Sequence, residues 1–254
     1  MTKRLVRKQA NTAAWVYAFL IAFALMATMF GIVARPTRLA EELGANYVIV
    51  DLAAGKYSVA PVVAKEAGGE NFASMMRRVR PWAAITGTFY DSSYRPQGDI
   101  LIDGRVVFRG HHRQGIGFTQ SGRICFRERR INERIDWRDC RSGIASGPRL
   151  VRRGKVDVDV RRDGFSPAAA KIKAARCAVG ATADGKLILC AVTKPITLRT
   201  MAKVMIELGA TDAINLDGGG SCALYENEKF RVEPSRPVSN VLAVFLKNTE
   251  RAGR

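Results

Sequence analysis

The sequence is poor in metal-binding residues, and this restricts the kinds of site it can hold. It has only two histidines, His111 and His112, and its five cysteines match no zinc-binding spacing. We therefore interpret the histidines as an exposed pair rather than a metal site, and we predict no metal and no other cofactor. A divalent ion bound by carboxylates such as Asp217 remains an open alternative.

The sequence also lacks low-complexity tracts and the helix-turn-helix, RNP-like and zinc-finger patterns of nucleic-acid-binding proteins. An apolar content of 47% favours a globular chain over a disordered one. Positive charge is in excess, with a formal net charge of +18. This charge indicates either a basic soluble surface or a polyanionic partner, such as a phosphate-bearing glycan, a glycolipid or an anionic membrane. Nucleic acid is the least favoured partner.

One segment, Ala13 to Val33, is uncharged and long enough to cross a bilayer as a helix. Basic residues precede it, which predicts a cytoplasmic N-terminus and an exported C-terminal domain, periplasmic or extracellular. We predict an uncleaved single-pass anchor, with a cleaved signal peptide as the alternative. The predicted organisation is a basic N-terminus (1–12), an anchor (13–34), a linker (35–46), a folded domain (47–248) and a tail (249–254).

Export would permit disulfides among the cysteines. Cys125 and Cys140 flank an arginine-rich polar stretch and are the favoured pair. Cys177 and Cys190 lie on two strand-like runs joined by a turn and could be cross-strand neighbours. Cys222 would then be the odd thiol, and we interpret it as a packing residue because no histidine lies near it in sequence.

The residue pattern predicts more hairpins than helices. The runs GDILIDGRVVF and RCAVGATADGKLILCAVT turn at Asp103-Gly104 and at Asp184-Gly185. Two further strands are predicted on either side of a turn at residues 54–56. We therefore predict an α+β fold in which a mixed, antiparallel-rich β-sheet carries packed helices, preceded by the one N-terminal transmembrane helix.

The run TLRTMAKVMIELG carries the strongest helical pattern in this domain. Gly209 is expected to end the helix, whose apolar face repeats at helical spacing and is interpreted as core: Leu198, Met201, Ala202, Met205 and Leu208.

The segment AINLDGGGSCALY follows this helix and is the most informative stretch of the sequence. It predicts a strand that enters a tight glycine turn, with Asp217 at the end of the strand. Successive glycines are tolerated mainly where the backbone turns sharply or approaches something closely. Because ligands often meet the chain at strand ends, Asp217 is the first candidate for a functional residue.

A series of sequence blocks resembles the phosphodiester glycosidase family, from about Tyr47 to Phe245. The blocks are AAITGTFYD, GDILIDGRVV, SGPRLVRRGK, RCAVGATADGKLIL, TLRTMAKVMIELGATDAINLDGGGS and SRPVSNVLAVF. The resemblance implies a mixed α/β fold and hydrolysis of a sugar joined through its anomeric oxygen to a phosphodiester.

The same resemblance assigns site residues. It places catalytic roles on Asp217 and Arg176. It places substrate-binding roles on Thr86, Gly87, Thr88, Asn215, Gly218, Gly219, Gly220, Ser221 and Asn240. Thr86 stands where the family usually has asparagine, and threonine lacks the amide's second donor. A changed substrate or weaker catalysis is therefore expected.

The chemistry of these residue types suits a sugar phosphodiester. A guanidinium such as that of Arg176 can bind phosphate oxygens in pairs. The backbone N–H groups of residues 218–220 could form an anion-binding nest, with the Ser221 hydroxyl as a further donor. Asp217 is the candidate acid, base or sugar-facing carboxylate. A second carboxylate is not identified, since Asp91 and Asp103 are as consistent with structural roles.

We therefore predict a membrane-anchored, exported hydrolase that cleaves a sugar from a glycosyl-phosphodiester in envelope or extracellular glycans. Its expected partners are a phosphate-bearing glycan or glycolipid and the membrane, which it contacts through Ala13 to Val33. The alternatives are a non-catalytic glycan- or phosphate-binding envelope module and an envelope scaffold that holds a partner through its basic surface.

Overall fold

β-Strands are the main regular structure of the folded chain, and the computed structural model, which describes residues 38–247, arranges them in three sheets. Every strand pair among these residues is antiparallel. The predicted antiparallel-rich fold with a few packed helices is confirmed. The prediction of one mixed sheet, with both parallel and antiparallel strand pairs, is wrong for this part of the chain. The helices are α1 (Arg38–Glu42), α2 (Phe72–Val79) and α3 (Leu198–Glu207), with short 3-10 turns at Pro167–Ala170 and Gly219–Ser221.

In the first sheet, a helix connects two strands that run in the same direction but do not pair with each other. Its six strands, in spatial order, are β1 (Asn46–Val50), β12 (Leu187–Ile196), β11 (Ala174–Thr182), β13 (Ala210–Asn215), β9 (Arg149–Arg152) and β10 (Lys155–Val156). Helix α3 connects β12 to β13, and those two strands run in the same direction. They do not pair with each other, because β11 lies between them and is antiparallel to both.

The other two sheets have five strands each. The second contains, in order, β15 (Lys229–Val232), β14 (Leu224–Glu226), β3 (Ala83–Thr86), β16 (Asn240–Leu246) and β2 (Tyr57–Val63). The third contains β5 (Arg105–Phe108), β4 (Ile100–Ile102), β8 (Ser142–Ser146), β6 (Gln114–Phe118) and β7 (Ile124–Glu128). The predicted strands around residues 54–56 are both present, but the turn carries the chain from the first sheet into the second.

The hydrophobic core lies on both faces of the first sheet, because successive strand residues point to opposite faces. Val179 packs with Ile85 of the second sheet and Ile116 of the third. Its neighbour Ala178 faces the other way and packs with Met205 of α3. The sheet is therefore covered by α3 on one side and by the other two sheets on the other.

The strongest local predictions are confirmed. Four residues of the predicted α3 face are fully buried, and Leu208 is partly buried at the end of the helix. Gly209 follows with φ of +92°, a conformation that suits glycine at a helix end. In the β4–β5 hairpin, Asp103 and Gly104 have φ of +48° and +75°, as a type I′ turn requires.

The predicted transmembrane segment Ala13 to Val33, the basic N-terminus (1–12) and the tail (249–254) lie outside the described residues. Between residues 38 and 247, no helix is long and apolar enough to cross a membrane. Part of the predicted linker is ordered as α1. Ala40 is buried against α3, and its N–H donates to Glu207 Oε2 at 3.2 Å.

A buried polar cluster, here called the Arg149 cluster, links the first and third sheets. It comprises Gln114, Arg149, Asp163 and Asp212. Arg149 donates through Nε to Gln114 Oε1 (2.9 Å), through Nη1 to Asp212 Oδ1 (2.9 Å) and through its backbone N–H to Asp163 Oδ2 (2.7 Å). Gln114 Nε2 completes the cluster by donating to Asp163 Oδ1 at 2.8 Å. Its buried charges are therefore matched by partners, as burial requires.

Candidate active site

Asp217 directly follows Leu216 at the end of β13, as predicted, and the glycine turn begins beside it. The Asp217 N–H donates to Gly87 O at 3.0 Å, which ties the turn to the end of β3. Gly218 lies against β11, where a Cβ would come within 2.4 Å of Ala175 O. Gly219 has φ of +57°. Close approach and backbone conformation thus explain two of the three glycines.

The Asp217 carboxylate is buried, with 5% of the residue exposed, and only one of its oxygens is hydrogen-bonded. Oδ1 accepts from the Gly218 N–H at 2.8 Å. Oδ2 has no hydrogen-bond partner among the described residues, and the Arg236 guanidinium lies 3.8 Å from it. Burial raises the pKa of Asp217, while Ser221, the Gly218 amide and Arg236 oppose that rise. The carboxyl group is therefore suited to exchanging a proton.

Arg236 was not identified from the sequence, yet it is the cation beside Asp217. Its Nε donates to Ser221 Oγ at 2.8 Å, and its guanidinium lies over the Tyr90 ring, 5.2 Å from the centroid. Half of the Arg236 side chain is exposed. Because Nε is occupied by Ser221, the two terminal nitrogens are the ones that can reach a ligand.

Tyr90 completes the group, which is here called the Asp217 site: Tyr90, Asp217, Ser221 and Arg236. Tyr90 Oη lies 2.9 Å from Ser221 Oγ and donates its proton to Pro237 O at 2.9 Å. Its ring stacks on Tyr94, with centroids 5.0 Å apart. Tyr90 thus fixes both the Ser221 hydroxyl and the Arg236 guanidinium.

The predicted residues Thr86, Gly87, Thr88 and Asn240 form the wall that supports Asp217. Asn240 Oδ1 accepts from the Thr88 N–H at 2.8 Å, and Asn240 Nδ2 donates to Thr88 O at 3.1 Å. The Gly87 N–H donates to Asn240 O at 3.0 Å. Thr86 is buried at the end of β3. The contacts of Asn240 are therefore those of a positioning residue, and its role in substrate binding stays a prediction.

Several buried polar atoms around this wall have no hydrogen-bond partner among residues 38–247: Thr88 Oγ1, Ser146 Oγ, Asn215 Oδ1 and Asp217 Oδ2. Their segments are joined by hydrogen bonds. The Gly147 N–H donates to Asn215 O at 2.9 Å, and Asn215 Nδ2 donates to Gly147 O at 3.2 Å. Buried polar atoms are normally paired, at a cost of about 1–3 kcal/mol each when they are not. A concentration of unpaired atoms is typical of a polar binding site.

The structure places Arg176 differently from Arg236. Its backbone lies beside the glycine turn, with Cα 3.5 Å from the position of a Cβ on Gly218. Its guanidinium donates to Ile172 O at 2.7 Å and to Ile196 O at 3.3 Å. Burial without a nearby carboxylate lowers the pKa of Arg176. Its predicted catalytic role stays a prediction, and the guanidinium in contact with Asp217 is that of Arg236.

The glycine N–H groups are only partly available to a ligand. That of Gly218 is bonded to the Asp217 carboxylate. Those of Gly219 and Gly220 begin a 3-10 turn, where N–H groups have no partner within the turn. The predicted anion-binding nest over residues 218–220 therefore reduces to these two groups and stays a prediction.

His112 is buried, so the prediction of an exposed histidine pair is wrong for it. Its ring stacks on Phe165 at a centroid distance of 5.1 Å and meets Phe89 edge-on at 5.4 Å. Burial, together with His111 and Arg129, lowers the pKa of His112 to about 3, so the ring is neutral at physiological pH. Over residues 38–247, no three His, Cys, Asp or Glu side chains are grouped to hold a metal ion.

The cysteines do not follow the predicted pairing. All five are free thiols in the structure, including Cys125 and Cys140. Cys177 and Cys190 point to opposite faces of the first sheet, because Cys190 is opposite Ala178 in the strand register. Cys222 instead lies against Cys177, with the two Sγ atoms 3.1 Å apart. Both thiols pack beneath the glycine turn.

The sequence did contain a signal for Arg236 and Tyr90, the two residues of the Asp217 site that were not identified from the sequence. Arg236 lies in the block SRPVSN, four positions before Asn240, and Tyr90 is the last residue but one of the block AAITGTFYD, just before Asp91. Neither could be linked to Asp217 without the fold, because Tyr90 and Ser221 are 131 positions apart.

Comparisons with known proteins identify a matching family and similar folds. A family model described as phosphodiester glycosidase matches residues 81–245. The fold is similar to that of a zebrafish N-acetylglucosamine-1-phosphodiester α-N-acetylglucosaminidase catalytic domain auto-inhibited by its pro-peptide. The TM-score is 0.66 and the identity 21%, over 80% of this chain and 83% of that one. No curated protein sequence matches.

Two bacterial structures share the fold. One is a hypothetical protein from Synechocystis, with a TM-score of 0.60, 17% identity and 80% of this chain covered. This chain spans only 59% of the length of that protein. The other is from Burkholderia pseudomallei, with a TM-score of 0.63 and 14% identity, over 79% of this chain and 73% of that one.

Proposed function

Because the chain belongs to the phosphodiester glycosidase family, whose model matches residues 81–245, we propose that it hydrolyses the bond between a sugar and a phosphodiester. One observation supports this most strongly. A buried carboxylate with an unpaired oxygen lies 3.8 Å from a half-exposed guanidinium, at the end of a strand. A glycosyl-phosphodiester offers an electrophilic carbon and an anion to such a pair.

Arg236 is proposed to bind the phosphate. A guanidinium matches phosphate oxygens in pairs, and such charge-assisted hydrogen bonds are stronger than neutral ones. Ser221 and Tyr90 hold Arg236 from one side, so its terminal nitrogens are presented to the ligand without further ordering. The charge on the departing phosphate is stabilised by the same contact.

Asp217 is proposed to activate water. Its Oδ2 accepts a proton as the water oxygen bonds to the anomeric carbon, and the carbon–oxygen bond to phosphate breaks with its electron pair leaving on the phosphate. The departing phosphate monoester is a good leaving group, so no strong general acid is required. This agrees with the surroundings of the other two candidate carboxylates. Asp103 pairs with Arg141 on the surface, and Asp91 Oδ1 accepts from two backbone N–H groups of its own turn.

The test is an activity assay of the full-length protein in detergent. The substrates are methyl phosphodiesters of common sugar 1-phosphates, and the controls are the methyl glycosides without phosphate. Hydrolysis of the phosphodiesters alone supports the proposal, since Arg236 has no anion to bind in the glycosides. Saturable binding without turnover would favour the non-catalytic module, for which Thr86 in place of the usual asparagine is the sequence argument.

The proposed setting is the cell envelope. The support is the uncharged run from Ala13 to Val33 with its basic flank, which favours an anchored, exported domain. A phosphatase reporter fused after residue 254 should be active only if the C-terminus is exported. Carbonate extraction then separates an anchored protein, which stays with the membrane, from a cleaved one, which does not.

A further inference from the structure

A strongly basic cavity of about 930 Å³ is lined by none of the residues of the Asp217 site. It is here called the arginine groove, and its charged lining consists of Arg113, Arg129, Arg130, Arg161, Arg162 and Glu128. From the sequence, the stretch that contains Arg129 and Arg130 is described only as arginine-rich and polar. The fold instead brings this stretch against residues more than thirty positions later in the chain.

The charge of the groove is mostly uncompensated. Glu128 bonds Arg152, outside the lining, at 2.7 Å, and its other carboxylate oxygen lies 4.0 Å from Arg162 Nε. Arg162 pairs with Asp157 at 2.8 Å and with Asp163 at 3.2 Å. The other four arginines form no ion pair with any residue in the range 38–247. Like charges held together are unfavourable unless an anion joins them.

Two of these four arginines are held in place by backbone carbonyls. Arg113 donates to Arg162 O at 2.5 Å, and Arg129 donates to Glu133 O at 2.9 Å. The Nε of Arg129 is buried and lacks a hydrogen-bond acceptor within the described chain. These contacts, and a further one from Arg129 to His111 O, fix the side chains without a carboxylate that neutralises their charges. Arg130 and Arg161 are exposed at the edge of the groove.

A series of packed residues connects the groove to the wall of the Asp217 site. Arg113 follows His112, whose ring packs on Phe89 and Phe165. Phe89 in turn follows Thr88, the residue held by Asn240. Gly164, next to Phe165, lies against the Arg113 guanidinium, 3.3 Å from Nε to the position of a Cβ. The groove and the Asp217 site are therefore connected through packed side chains.

We propose that the arginine groove binds further phosphates of a soluble, phosphate-bearing glycan whose scissile bond lies at Asp217, an inference that rests on the proposed function. The volume is in the range of sites that enclose whole ligands rather than single ions. No aromatic side chain lines the groove, so the stacking that single-stranded nucleic acids use is missing. Its one large apolar residue, Ile131, is too little to insert into a membrane.

The test is the binding of a fluorescent poly(glycerol phosphate) oligomer to full-length protein in detergent. The variant R130Q/R161Q removes two exposed charges that form no ion pair. The matched control R105Q/R199Q removes two exposed charges elsewhere, on β5 and α3. Phosphate contacts should make binding strongly salt-dependent. We expect about 10-fold weaker binding for R130Q/R161Q and a shallower salt dependence, with the control within about twofold of wild type.

Equal weakening in the two double variants would overturn the proposal, because it would assign the binding to overall charge. Tighter binding to single-stranded DNA of equal charge, or to phosphatidylglycerol vesicles, would also overturn it. Binding needs no turnover, so the result stands even if the hydrolase proposal fails. Conversely, an enzyme active on sugar phosphodiesters whose R130Q/R161Q variant binds the oligomer as tightly as wild type would reject the groove alone.

Discussion

Two buried polar groups in this protein, the Arg149 cluster and the Asp217 site, differ in how completely they are hydrogen-bonded. In the Arg149 cluster, the guanidinium is bonded to Gln114 and Asp212, and both Asp163 oxygens accept hydrogen bonds. In the Asp217 site, one carboxylate oxygen has no partner among the described residues, and its nearest cation is 3.8 Å away. The first arrangement stabilises the fold, whereas the second leaves a carboxylate and a guanidinium to be bonded by a ligand.

The difference shows how a structural polar cluster can be distinguished from a functional one. Both lie in the first sheet or at its edge, and both contain arginine and aspartate. Composition therefore does not separate them, but hydrogen-bond satisfaction does, since native buried groups are normally paired. Substitutions in the two groups should accordingly have opposite consequences for stability and for activity.

The largest effect is expected for Asp217→Asn in the Asp217 site. Turnover of the sugar phosphodiester should fall by about 10²–10⁴-fold, because the amide cannot accept the proton from water. Unfolding in urea should show no loss of stability. The matched control is Asp103→Asn, a surface carboxylate, which should keep wild-type rates. Normal turnover in Asp217→Asn would contradict the assignment of Asp217.

Arg149→Met should lower the stability of the protein and leave its activity nearly unchanged, which is the reverse of the result expected for Asp217→Asn. It leaves Gln114 Oε1 and the partly buried Asp212 carboxylate without their guanidinium partner, which should cost about 1–3 kcal/mol of unfolding free energy. Urea unfolding measures the loss, and the activity of the fraction that remains folded should be close to wild type. A stable but inactive variant would show that the Arg149 cluster is not merely structural.

The pH dependence of stability should give the smallest effect. Burial raises the pKa of Asp217 in the folded state above its ordinary value of 3.8, so the folded protein holds a proton that the unfolded chain has lost. Stability contributed by this group is therefore lost as the pH rises from 3.8 through the raised pKa. The Asp217→Asn variant has no carboxyl group at this position, so it does not lose stability in this way as the pH rises.

The unfolding free energy of Asp217→Asn should thus exceed that of wild type at neutral pH. The difference should shrink as the pH falls towards 3.8, where both states of the wild-type chain bind the proton. A series of urea titrations across this pH range measures it. A difference that stayed constant with pH would mean that Asp217 does not titrate abnormally.

Local patterns predicted the parts of the fold that depend on neighbouring residues. Helical spacing identified the α3 face, and the Asp103-Gly104 dipeptide identified the hairpin between β4 and β5. The Asp217 strand end could likewise be read from its apolar run and glycines. These features are set by interactions within a few positions along the chain.

Long-range features could not be predicted in this way. The division of the strands into three sheets depends on which edges pair, and alternation alone is compatible with several pairings. Cys177 meets Cys222 across 45 positions, and His112 is buried only because Phe89 and Phe165 enclose it. The resemblance to the family pointed to Arg176, while the fold placed Arg236 beside Asp217.

The most direct test of the account compares these two arginines by binding rather than by rate. In an Asp217→Asn background, which prevents turnover, a sugar 1-phosphodiester is titrated into full-length protein carrying Arg236→Gln or Arg176→Gln. We predict that Arg236→Gln weakens binding by about 10-fold or more, as loss of a charge-assisted phosphate contact should, and that Arg176→Gln changes it by less than about twofold. Weakened binding in Arg176→Gln with unchanged binding in Arg236→Gln would contradict the account.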